Sequence, residues 1–348
     1  MRDYFLRRFL LIPPTLIGVT LIVFFITRLV PGGPVERALA EARQADVGGT
    51  GGGGGGRTAA RADAASGTSL SAEQLDQLRK FYGFDKPWYA AYFDWTGKVL
   101  RGDLGTSYIY HLPVTTVIAS KLPISIYFGL LTTLLTYGVC LPLGIVKAMR
   151  HRTLMDNATS VVVFAGYAIP SYVFGSIIML IFAARLQWLP LGGFVSDDFA
   201  DFTLWGKFTD LARHTILPLS AYMVGSFAFT TMLMKNHLMD NLAADYMRTA
   251  VAKGVPFRTA VFRHALRNSL IPLATTFGQN IGLVLTGSFL IEVVFDIDGM
   301  GLLGFKSVVD RDYPVVMGIL FISSILLLVG NILSDLLVAV LDPRIRFN

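Results

Sequence analysis

The chain has 348 residues, 53% of them hydrophobic and only 16% charged, with a positive mean hydropathy. That balance excludes an ordinary soluble domain, which carries far more charge, and points to a polytopic membrane protein. The net charge of +6 does not argue for nucleic acid, because the basic residues cluster in short loops beside apolar runs, where membrane topology accounts for them. The single cysteine, Cys140, allows no internal disulfide, and five histidines without an H-E-x-x-H spacing give no catalytic zinc site and no metal site.

The chain opens with the basic stretch MRDYFLRR, followed by an apolar run from Phe9 to Val30 with Pro13 and Pro14 near its entry. A helix of that length crosses the roughly 30 Å of a bilayer's hydrocarbon. No small-residue cleavage site follows; Pro31-Gly32-Gly33-Pro34 does, so the run is expected to be a retained first span with its N-terminus in the cytoplasm. Residues 36–69 are rich in Ala, Gly and charge, with Gly51 to Gly56 unbroken; such a segment has nothing to bury and is expected to be disordered. The glycine run satisfies G-x-G-x-x-G formally, but follows no strand and opens no helix, so a phosphate loop is rejected. From Ser71, a capping box with Gln74, the stripe Leu75, Leu78, Phe81 and a stop at Gly83 predict a helix. Trp88, Tyr89, Tyr92, Phe93 and Trp95 then suggest a second helix resting at the membrane interface.

Leu122 to Ala148 reads as a second span with Pro123 and Pro142 in it, and the short basic loop Lys147 to Arg152 places its end inside. Asn157 to Ala184 is a third span, broken by Pro170. Residues 185–215 carry Asp197, Asp198, Asp201 and Asp210 against Arg185, Lys207 and Arg213 and fit outside; a fourth span covers about Ile216 to Met234. Ile271 to Ile291 is a fifth span, where Gly278 and Gly282 allow close helix approach. Gln279, Asn280, Thr286 and Ser288 are polar at membrane depth, and either hydrogen-bond between helices or line a solute path. Glu292 to Asp312 is acidic and external, and a sixth span runs from about Pro314 to Val340. The organisation expected is therefore residues 1–30 as N-terminus and first span, 31–121 as an external region, and 122–348 as a five-helix core in membrane lipid. Both ends lie inside, and the core carries a polar cytoplasmic loop at 237–270.

Within that loop, Asp245 to Pro272 is a basic segment between long apolar runs. Leu242, Tyr246, Thr249, Ala250 and Lys253 recur at three- and four-residue steps and predict one mixed helix face. Gly254 stands where a left-handed cap is wanted and Pro256 where a new helix can begin. The second helix is expected to turn Phe257, Val261, His264, Ala265 and Leu266 to one side.

Arg248-Thr249-Ala250 with Gly254 resembles the Glu-Ala-Ala…Gly loop of ABC importer permeases, in the form found in dipeptide and oligopeptide permeases. The general pattern continues to Ile-x-Leu-Pro; here His264-Ala265-Leu266-Arg267 takes that place and the proline comes at Pro272, a departure the peptide branch shares. The N-terminal RRFLLIPPTLIGVTLIVFFITRLVPGGP, GDLGTS at Gly102 to Ser107, GSFLIEVVFDIDGMGLLG, RDYPVVMG at Arg311 to Gly318 and the final Leu341-Asp342-Pro343-Arg344 are similar to the same family. On these stretches the chain is identified as a member of the dipeptide/oligopeptide (nickel) ABC importer permeases of the first-permease type. The insertion at 36–69 is most similar to microcin C-type peptide importers.

The resemblance implies an all-α polytopic fold of six transmembrane helices, with a large periplasmic loop after the first and a coupling helix between the fourth and fifth. That helix would dock into an ATPase subunit through Asp245, Tyr246, Arg248, Thr249, Ala250, Lys253 and Gly254. The implied partners are a second homologous permease, one or two kinds of ABC ATPase and a periplasmic peptide-binding protein, in a bacterial inner membrane. ATP and Mg would be bound by the ATPases, with no cofactor in this chain. Consistently, no G-x-x-x-x-G-K-[ST] occurs, Gly304-Phe305-Lys306-Ser307 being the nearest miss, and no nucleophile elbow or intramembrane aspartate pair makes the chain an enzyme. The rivals are a gated channel and an ion-coupled carrier; the latter normally shows two related halves, and no such internal repeat is visible.

Overall fold

The computed structural model describes residues 2–29, 86–285 and 287–342. The Gly-rich stretch 36–69, the helix expected at Ser71 to Gly83 and the chain from Pro343 onward lie outside the described residues. Among the described residues the regular structure is helical, with one isolated antiparallel bridge between Thr106 and Pro113.

Helix α1 is Arg2–Leu29 and α2 is Trp88–Val99. The second predicted span is α3, Val114–Met149, which starts earlier than its apolar run and keeps both Pro123 and Pro142 inside the helix. The third is not one rod. Helix α4, Leu154–Ala168, is capped at its start by Thr153, which accepts from the Asp156 amide. It ends where Ile169, just before Pro170, is pushed to φ −93° and ψ 125°, because the proline ring disfavours helical geometry in the residue before it. Helix α5, Ser171–Ile178, then leaves at 100° to α4 and runs on into a π-type turn, Met179–Arg185.

Helix α6, Leu204–Ala243, has 40 residues, a rise of roughly 60 Å against a hydrocarbon thickness of about 30 Å. Its first turns occupy part of what the charge pattern assigned to a loop, and the Thr203 side chain caps them by accepting from the Gly206 amide. Two short helices follow: α7, Asp245–Ala252, and α8, residues 257–269, in which a π-type turn, Val261–Ala265, interrupts the α geometry. The fifth predicted span is shorter than its apolar run. Helix α9, Ile271–Leu285, has 15 residues, and α10, Phe289–Val294, is a separate piece. Helices α11, Met300–Val309, and α12, Tyr313–Leu341, complete the order. Among the described residues four helices are long and apolar enough to cross a membrane, and five if the bent α4–α5 pair is one span.

The chain forms two compact units. One comprises the described residues within 17–117 and 307–321. Its core is Phe24, Tyr92 and Met317, and the Tyr92 hydroxyl lies 3.0 Å from that of Thr20. Two of the five aromatics expected at an interface are thus turned inward: Trp95 packs beside Tyr92, whereas Trp88, Tyr89 and Phe93 stay exposed. In the same unit Ser107, ending GDLGTS, donates to the carboxylate of Asp312, in RDYP, and the Tyr108 amide donates to it at 3.1 Å.

The other unit comprises the described residues within 1–16, 118–306 and 322–348. Phe128, Ile178, Leu217, Ala221, Phe295 and Ile297 form one of its apolar clusters. Gly278 on α9 lies so close to Gly330 on α12 that a Cβ there would stand 1.9 Å from the Gly330 carbonyl oxygen; the second glycine of the predicted pair, Gly282, meets Leu327 at 3.0 Å. Glu292 on α10 is 1% exposed and reaches the start of α11, where the Leu302 amide donates to it at 2.6 Å and the Gly301 amide at 3.3 Å.

Candidate functional site

The basic segment is a helical hairpin formed by α7 and α8. Ala244, at φ −69° and ψ 149°, breaks α6 and starts α7 in a new direction. At the far end of α7, Gly254 has φ +85°. Its amide donates to the Val251 carbonyl at 2.9 Å and the Val255 amide donates to the Ala250 carbonyl at 3.2 Å, the paired bonds that close a helix through a left-handed residue. Pro256 precedes α8, fixed at φ −55° where the new helix starts. The glycine stop and proline start expected from the sequence are therefore in place.

Burial divides each of the two predicted faces. Met247 and Ala250 point α7 inward, Met247 being fully buried, whereas Tyr246, Thr249 and Lys253 of the predicted face are exposed. On α8 the inward residues are Ala260, Val261, Ala265 and Ser269, while Phe257 and His264 face out. Two helices of so few turns leave the periodicity ambiguous, and small residues decide the seat because they let backbones approach. Met247, Ala260, Val261 and Ala265 pack with Ala148 of α3, Met234 and Leu238 of α6 and Leu273 of α9.

Polar contacts fix the hairpin's angle. The Tyr246 hydroxyl donates to Asn241 Oδ1 at 2.6 Å and accepts from Asn268 Nδ2 at 3.3 Å, linking the end of α6 to α8. Ser269 Oγ lies 3.2 Å from the His237 carbonyl. Arg267 donates through Nε to the Leu341 carbonyl at 2.5 Å and through Nη2 to that of Val340 at 3.4 Å, satisfying carbonyls that end α12 without intrahelical partners. The sequence showed Arg267 as the end of His264-Ala265-Leu266-Arg267, without a partner.

Of the seven predicted coupling residues, Asp245, Tyr246, Arg248, Thr249, Lys253 and Gly254 are exposed and Ala250 is half-buried. Arg248 Nη1 stands 3.7 Å from Asp245 Oδ1 on the open surface. Around them Val251, Phe257 and Phe262 are 45%, 51% and 56% exposed, beside Arg258 and Arg263. The hairpin thus presents apolar side chains interleaved with cations on a base held by its other face.

Of the four predicted path residues, Asn280 and Ser288 have described side chains. Asn280 Nδ2 donates to the Tyr137 hydroxyl of α3 at 3.1 Å, the interhelical bond that was one of the two readings. Ser288 lies past the end of α9, at the turn before α10. Thr286 and the side chain of Gln279 lie outside the described residues. Among the described residues no group of three or more His, Cys, Asp or Glu could hold a metal ion.

Residues 140–347 match the family described as "Binding-protein-dependent transport system inner membrane component". Over 359 aligned residues, covering 100% of this chain and 99% of the relative, the chain is 38% identical to the peptidoglycan transport system permease protein YejB of Agrobacterium fabrum. It is also 38% identical to the inner membrane ABC transporter permease protein YejB of Escherichia coli O157:H7, covering 100% of this chain and 99% of that one. Identity to the oligopeptide transport system permease protein AppB of Bacillus subtilis is 32% over the full length of both.

Proposed function

This chain belongs to the binding-protein-dependent transport system inner membrane components, and from that premise we propose that it is the permease subunit of an ATP-driven importer of peptides. It supplies half of a translocation path in a bacterial inner membrane, with both termini in the cytoplasm and the region after α1 in the periplasm. A second, homologous permease supplies the other half. Separate ABC ATPases bind ATP and Mg, and a periplasmic peptide-binding protein delivers the solute. The peptide class is supported by relatives whose names specify oligopeptide and peptidoglycan transport.

The observation that carries the proposal is the hairpin: an exposed face of Tyr246, Arg248, Thr249, Lys253 and Gly254 on a base seated against three longer helices. In this reading α7 is the coupling helix, and its exposed apolar and basic side chains enter a cleft of the ATPase. ATP draws the ATPases together, the hairpin travels with them, and its seat passes the displacement to α3, α6 and α9. The path opens outward, accepts solute, and returns after hydrolysis. Gln279, Asn280, Thr286 and Ser288 remain candidates for that path.

The test is purification of the tagged chain in mild detergent with mass spectrometry of what accompanies it, followed by uptake into reconstituted vesicles. Recovery of a second permease and P-loop ATPases, with uptake only when ATP is supplied, is the expected result. Solute flux through the chain alone, without ATP, would establish a channel instead.

A further inference from the structure

Three ionisable side chains are buried together at the base of the hairpin's seat. Lys147 stands in the last turn of α3, Asp156 in the first turn of α4 and Lys235 toward the end of α6; they are 0%, 2% and 8% exposed. Asp156 accepts Lys235 Nζ on both oxygens, at 2.7 and 2.8 Å, and Lys147 Nζ stands 3.0 Å from Oδ1. The Arg152 amide donates to Oδ2 at 3.1 Å, and His151 Nδ1 is 3.3 Å from the same oxygen. Lys147 Nζ also donates to the Asp156 carbonyl, Thr159 Oγ1 and Ser160 Oγ, each at 2.8 Å.

Such a cluster is a poor way to gain stability. Removing each ion from water is costly, and well-packed apolar side chains of similar volume often serve as well or better. What a shared carboxylate does supply is register: one group holds three helix ends in one arrangement and penalises any other. Position says which arrangement matters. Ala148, next to Lys147, and Met234, next to Lys235, both belong to the apolar seat of the hairpin, and so does Leu238, one turn beyond Lys235. No residue of α4 belongs to that seat. Helix α4 follows α3 after a short turn and packs along α6, and Asp156 ties its first turn to both of these helix ends; α4 is the arm that leads to the 100° break before α5.

We propose that Asp156 is a positioning residue for transport: by bridging Lys147 and Lys235 it makes α4 follow the hairpin-bearing ends of α3 and α6. The broken pair α4–α5 is thereby driven by a hairpin it does not touch within the apolar seat. This rests on the reading of the hairpin as the element moved by the ATPases.

The experiment uses the whole complex in proteoliposomes and reads peptide uptake per ATP hydrolysed. A second readout is the distance between spin labels on α4 and α7 with and without ATP. Asp156→Asn is expected to co-purify with the ATPases and to hydrolyse ATP. Its uptake per ATP falls on the order of tenfold, within the usual span of coupling between sites, and the labels on α4 and α7 separate as the helices cease to move together. Asp156→Glu should restore part of the ratio, because the bridging charge is kept. Lys235→Met, which leaves the Lys147–Asp156 pair, should fall in between, and it decides by the same ratio if Asp156→Asn does not assemble. A wild-type ratio in the assembled variants would overturn the proposal while leaving the importer reading intact. Absence of ATP-driven uptake in the wild-type complex would overturn both.

Discussion

Gly254 offers the sharpest separation of conformation from contact. Its φ of +85° lies in the left-handed region, yet a Cβ built there meets no atom within 4 Å. Substitution is therefore opposed by backbone energetics alone, with no steric clash added. The left-handed conformation costs an L-residue about 1–2 kcal/mol, with Asn below that range because its side chain can bond locally. Valine stands above alanine, since branching at Cβ crowds the backbone further. Losing this conformation also releases the Ala250 and Val251 carbonyls from the Val255 and Gly254 amides. The series Gly254→Asn, Gly254→Ala, Gly254→Val should then lower ATP-driven uptake in that order, while the amount of chain in the membrane stays constant, because Met247, Ala260 and Val261 keep their buried seat. The assay is uptake in reconstituted vesicles, normalised to chain and to bound ATPase. Equal transport by the Asn and Val variants, or wild-type transport by Val, would refute the argument that the left-handed cap sets the hairpin.

Three further outcomes follow from close contacts elsewhere. Gly278→Val should force α9 from α12, because a Cβ at Gly278 would lie 1.9 Å from the Gly330 carbonyl oxygen; overpacking costs about 1–3 kcal/mol or more, read as a lowered thermal midpoint in detergent, and an unchanged midpoint would contradict the packing. Burial pushes the Glu292 carboxyl, beyond the apolar run Ile271–Ile291, above its ordinary range. A raised folded value gives stability that is present in full below the unfolded value and lost as pH rises through the folded one. The wild-type thermal midpoint should therefore fall, relative to Glu292→Gln, as pH rises through that window, and parallel midpoints would contradict this. Asp312→Asn should loosen the joint between GDLGTS and RDYP, since Ser107 and the Tyr108 amide both donate to Asp312; faster proteolytic cleavage near Tyr108 checks it.

The parts of the hairpin that were legible in the sequence are those governed by single residues. Gly254 and Pro256 act through their own backbone restrictions, so the stop and the start of its helices follow from identity and order. Pro170 likewise announces a break, because the effect on Ile169 is local. The angle of that break was not legible, as it depends on what α5 packs against: Ile178 joins Phe128, Leu217 and Phe295, residues far away in the chain. Which face turns inward was not legible for a related reason. Over eight residues of α7 a three- and four-residue pattern fits more than one face, and the choice of Met247 over Tyr246 is made by Leu238 and Val261 on neighbouring helices.

Charge was the least legible property. A lysine next to an apolar run carries the same sequence signal whether it marks the inner side of a membrane or is buried against a carboxylate. Lys147 is fully buried, although its run with Arg150 and Arg152 reads as an ordinary basic loop. The signal that separates the two cases is Asp156, an acid close to a cluster whose topological role needs only cations. Its second partner, Lys235, is 79 residues away, so the acid announces that a partner exists without naming it. The same logic covers Arg267, whose acceptors are the carbonyls of Val340 and Leu341 and carry no side-chain signature at all. An acid just beyond a short basic loop of a polytopic chain is therefore better read as one half of a buried pair than as noise in the charge count. The Asp156→Asn experiment tests that rule together with the mechanism.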